Sequence, residues 1–86
     1  MSREKIISIV DQLSYVESLL TEFVKYVTDE IWNDRLMKVK EYKLKIVSYS
    51  DFNDELVDVL LSTNALLKII YVDMVKFKMQ QTVVVK

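Results

Sequence analysis

The chain has 86 residues, 51% apolar and 29% charged, with a net charge of −1 and no histidine, cysteine, glycine or proline. That length leaves room for one thin-cored domain, and the missing residue types exclude disulfides, the usual transition-metal ligands and glycine-rich phosphate loops. No apolar run approaches the ~20 residues of a bilayer span and the N-terminus has no long apolar core, so one domain (1–86), cytoplasmic and without a membrane, is expected.

Without glycine or proline, tight turns lose their preferred residues and long helices are favoured. The first expected helix covers about residues 3–27. Ile6, Ile9, Leu13, Val16, Leu20, Phe23 and Val27 recur at steps of three and four, as in a coiled-coil seam that Val10 and Val24 widen. Ser2 is a candidate N-cap, with Glu4 facing the positive end of the helix dipole.

The second helix is expected over about 31–48, with Trp32, Leu36, Val39, Tyr42, Ile46 and Val47 inward. Continued at ~100° per residue, this stripe is rotated by roughly 100° from the first one. A break near Thr28 to Glu30 resolves the mismatch, with Thr28 as the cap. One long helix serving two partners is the alternative.

The third helix is expected over about 51–80, capped by Ser50 or Asp51 with Asp54 and Glu55 in its first turn. Its main stripe is Phe52, Leu56, Val59, Leu60, Thr63, Leu66, Leu67, Ile70, Met74 and Phe77. The tail Thr82 to Lys86 is β-prone and is compatible with fraying, edge pairing or more helix. The resulting fold class is all-α: a small antiparallel three-helix bundle, or a helical hairpin with a bent first arm, completed by dimerisation or docking.

Each segment also carries apolar residues outside its core stripe. Tyr15, Leu19 and Tyr26 form a shoulder on the first, Met37 and Leu44 lie across from the core on the second, and Leu61, Ala65, Val72 and Met79 occupy the back of the third, with Ile69 beside them. A helix apolar nearly all round is normally buried from several sides. Tyr15, Leu19, Tyr26, Met37, Leu44, Leu61, Val72 and Met79 are therefore the candidate partner interface. Scattered surface leucines and methionines are the bland alternative.

Charge alternates in blocks along the chain: acidic over 1–30, basic over 31–50, acidic over 51–67 and basic over 68–86. Arg35, Lys38, Lys40, Lys43 and Lys45, with Lys76 and Lys78, are candidates for phosphate contact, and Tyr42 and Tyr49 for stacking. They flank the apolar stripe on both sides rather than forming one ridge, and antiparallel neighbours matching charge accounts for the blocks equally well. Asp51, Asp54, Glu55 and Asp58 share a helix face, as do Glu30 and Asp34. The helix dipole alone favours acids at such starts, so no metal is expected.

Without histidine or cysteine the usual nucleophile–base pairs are missing, and a chain this small encloses no cleft by itself. Glu17, within the apolar arc of the first helix, is expected at a rim or paired with Lys43. No enzymatic activity, cofactor or metal is expected. The reading is a helical protein–protein interaction subunit or adaptor that forms a homo-oligomer or joins a larger complex. A nucleic-acid-processing machine such as a polymerase assembly, or a viral or plasmid-encoded system, would suit a small acidic bundle with basic helices. The low amide content leans towards a thermophilic source, against which the four methionines count. The alternative is direct nucleic-acid binding through the basic second helix, which would weaken steeply with salt.

Overall fold

In a computed structural model, described over residues 3–49 and 53–84, with side chains described to residue 78, the chain forms three helices. They are α1 (Arg3–Phe23), α2 (Glu30–Ser48) and α3 (Asp54–Val84). The described residues contain no strand, and the helices pack as a small all-α bundle. The body measures 51 × 19 × 17 Å, and α3, about 46 Å long at 1.5 Å per residue, runs along most of it.

The break between the first two helices lies where the rotated stripes require it, but α1 stops at Phe23 rather than Val27. With no glycine to enter a left-handed cap, the helix closes by tightening. Lys25 and Tyr26 N–H groups reach back three residues to the carbonyls of Glu22 and Phe23, at 3.2 and 3.1 Å. Val24 and Val27 still pack on the core from this turn. α2 is capped by Asp29, one residue after the expected Thr28, its carboxylate accepting from Ile31 N–H at 3.1 Å. At α3, Asn53 takes the capping role, its Oδ1 accepting from Leu56 N–H at 2.9 Å. Ser2, Ser50, Asp51 and Phe52 lie outside the described residues.

The core unites Leu13, Val16 and Leu20 of α1, Trp32, Val39 and Ile46 of α2, and Leu56, Val59, Leu60, Leu67 and Ile70 of α3. Each lies on the stripe read from the sequence. Thr63, also on that stripe, is fully buried and donates its hydroxyl to the Val59 carbonyl of the preceding turn at 2.8 Å. Its polar group is thereby satisfied within its own helix. Val47 departs from expectation: it lies 58% exposed at the end of α2.

One cross-helix chain of contacts ties the bundle at one end. Arg35 Nη2 lies 2.6 Å from Asp73 Oδ2, and its guanidinium stacks 4.8 Å from the centre of the Trp32 ring. Trp32 meets Phe23 edge-on at 4.6 Å, and Phe23 meets Phe77 edge-on at 5.0 Å. The path thus runs from α3 to α2 to α1 and back to α3.

Tyr49 ends α2, its N–H reaching the Ile46 carbonyl at 3.3 Å. Burial, then hydrogen bonding to the Glu55 carboxylate and its charge, raises the phenol above its ordinary pKa of 10.0. The fold favours the neutral phenol, so this contribution is present below pH 10 and disappears as pH climbs through the raised value. A tyrosinate absorbance titration is expected to show a step above pH 10 that Tyr49→Phe removes. An unchanged profile would contradict the Glu55 contact.

Leu20→Ala, which empties a fully buried site, is expected to cost about 2–5 kcal/mol in urea unfolding. Leu44→Ala, on the outer face, should change stability by less than about 0.5 kcal/mol. Equal losses at the two positions would contradict this core.

Candidate functional site: the outer face of the third helix and its groove

α3 differs from its neighbours in having two apolar faces. One supplies the core; on the opposite side Leu61 is 60% exposed, Val72 50% and Val75 59%, with Ile69 and Ala65 also exposed. Leu61, Ala65, Lys68, Val72 and Val75 follow one another at steps of four, three, four and three, so they line one seam along the helix. Lys68 is the only polar residue in that run of five.

The seam borders a groove. α1 packs along α2 but only lightly on α3. Between α1 and α3 lies an open depression of about 560 Å³, lined by Gln12, Asn64, Ala65, Leu67, Lys68 and Tyr71. A second shallow depression of about 460 Å³ continues on α1, lined by Glu4, Ile7, Ser8, Asp11, Gln12 and Tyr15. Gln12 belongs to both. Tyr15 and Ile7 thus line a depression that meets, at Gln12, the one bordered by Ala65 and Lys68 of the α3 seam.

Of the expected interface residues, Tyr15 lines the second depression, while Leu61 and Val72 lie exposed on the back of α3 and line neither. Leu19 is half-buried, and Tyr26 is highly exposed in the turn after α1. Met37 and Leu44, both 69% exposed, occupy the outer face of α2, which borders neither groove. The Met79 side chain lies outside the described residues. Val75, Tyr71 and Ile7 belong to this surface although the sequence reading did not single them out. For Val75 the signal was present, as the next step of the heptad from Val72.

The basic candidates do not converge. Arg35 is engaged by Asp73 and Trp32, with only 12% of its side chain exposed. Lys38, Lys40 and Lys45 are exposed and Lys43 is half-buried. Glu17 and Lys43 are both half-buried, but no ion pair joins them. Among the described residues no group of three or more acidic side chains is placed to hold a metal ion, and no helix is long and apolar enough to cross a membrane.

No protein-family model, curated protein or solved structure matches the chain.

The Arg35–Asp73 pair is shielded on the arginine side and one-third exposed on the aspartate side. A double-mutant cycle with Arg35→Met and Asp73→Asn is expected to give a coupling of about 1 kcal/mol, the upper end for a partly exposed pair. Coupling indistinguishable from zero would mean that Arg35 contributes through its stacking on Trp32 alone.

Proposed function

We propose that the chain is a non-enzymatic protein–protein interaction subunit. It acts by docking the outer face of α3, together with the α1–α3 groove, onto a protein surface. The observation that carries this reading is the second apolar face of α3, left open while the first fills the core.

Two physical arguments support it. Contiguous exposed apolar surface beyond a few hundred Å² is uncommon on a monomer and marks interaction sites. Covering it removes apolar area from water at about 25 cal/mol per Å², before the costs of association and ordering. Tyr15 and Tyr71, which line the depressions, are of a residue type enriched at interfaces.

The test is affinity purification of the tagged chain from its native source, in wild-type form and as Leu61→Glu with Val72→Glu. The wild type is expected to co-purify with a stoichiometric protein, or with untagged copies of itself, that the variant loses. Circular dichroism should show equal helicity, because both substitutions are on exposed positions. Identical co-purification profiles for the two proteins would overturn the proposal.

A further inference from the structure

The apolar back of α3 is bordered by a charge pattern that reverses along the helix. Asp54, Glu55 and Asp58 lie at its beginning; Lys76 lies near its end, with Lys68 within the seam. Asp58 and Lys76 are 18 residues apart, about five turns at 3.6 residues per turn, so they sit on the same edge of the helix. Both are exposed, and neither has an ion-pair partner among the described residues.

This surface is complementary to itself when turned end for end. We infer that the occupant of the α3 face is a second copy of this chain, docked with the two α3 helices antiparallel about a two-fold axis near Leu66 and Leu67. In that register Leu61 faces Val72 of the other copy, and Ala65 faces Lys68. The small alanine leaves room for the lysine stem to run outward to water. Asp58 meets Lys76 of the other copy at both ends of the seam. A parallel pair would instead leave Asp58 and Lys76 about 27 Å apart along the seam, with the helix dipoles aligned; these end pairs and the dipoles select the antiparallel arrangement, whereas Lys68, close to the two-fold, does not discriminate.

In this register residues 55–78 of one copy overlap the same stretch of the other, a strip about 36 Å long and about 10 Å wide. That gives roughly 360 Å² per copy and about 720 Å² in all, which is the size of a weak, reversible pair. The two copies of α1 and α3 then complete a four-helix layer from two incomplete bundles.

This inference rests on the docking reading above, and its test separates the two. Sedimentation velocity over a concentration series is run on the full chain, on Asp58→Lys, on Lys76→Glu, and on an equimolar mixture of those two variants. The wild type is expected at twice its 10.2 kDa chain mass. Each single variant turns two attractive contacts repulsive and should weaken the dimer roughly tenfold. The mixture should restore it, because every cross pair again has opposite signs. Dimers indifferent to either reversal would overturn the antiparallel arrangement, since Asp58 and Lys76 do not meet between parallel copies. A wild type that stays monomeric would overturn the self-pairing. If that monomer still loses a co-purifying protein on Leu61→Glu with Val72→Glu, the docking reading survives the failure; if it co-purifies with nothing, both fall.

Discussion

The contact chain from Asp73 through Arg35, Trp32 and Phe23 to Phe77 governs what the rest of the molecule presents. Its aromatic edges contribute about 0.5–1.5 kcal/mol each beyond area burial, and the guanidinium on the indole about 0.5–1 kcal/mol. Its geometric effect matters as much as its energy. Because α3 supplies both terminal members, four residues apart, the rotation of α3 about its own axis is defined from two directions. Asp73 must reach α2 while Phe77 reaches α1. The opposite face of the helix, with Leu61, Val72 and Val75, then points away from both neighbours.

The absence of glycine shapes the connections in the same way. No described residue has a positive φ, so neither α1 nor α2 ends in a left-handed cap. α1 closes through a 3₁₀-like turn, and both α2 and α3 begin on a side-chain oxygen, from Asp29 and Asn53. Such ends need little sequence and let the helices start and stop within a few residues of one another. They also fix no exit direction as firmly as a glycine cap does. The spatial arrangement of the helices therefore depends on side-chain packing, and on the aromatic chain in particular.

The core was legible in the sequence because helical period and apolar pattern agree over long stretches. Leu13, Val16, Leu20, Trp32, Val39, Ile46 and the α3 stripe from Leu56 to Ile70 are all inside. Boundaries were less legible, for a physical reason. Val24 and Val27 continue the apolar spacing beyond the last helical turn, and they pack on the core from a turn as well as they would from a helix. Thr28 and Asp29 are both competent caps, and only the observed hydrogen bond to Ile31 distinguishes them. Arg35 read as a phosphate ligand because its partner, Asp73, lies far along the chain. The candidate surface was legible residue by residue but not as a surface. Gln12 of α1 meets Ala65 and Lys68 of α3 across a groove between the two helices, and spacing within one helix carries no information about that.

The unequal lengths of the helices connect fold to docking. α1 and α2 have 21 and 19 residues, whereas α3 has 31. A helix of that length with one covered face would be polar on the other, as the outer face of α1 largely is around Asp11, Ser18 and Glu22. α3 is instead interrupted on its outer face mainly by Lys68, a residue whose stem is apolar and whose charge can reach water from a packed seam. One lysine in a heptad seam selects among registers and orientations at some cost in affinity, which is the use such a residue has in coiled coils. A domain of this size buries little more than about 60% of its unfolded surface and folds with little stability to spare. Any partner that binds only the folded form then raises the stability of the bundle by mass action. Under the docking proposed above, covering the outer face of α3 would therefore supply binding energy and stabilise the bundle together.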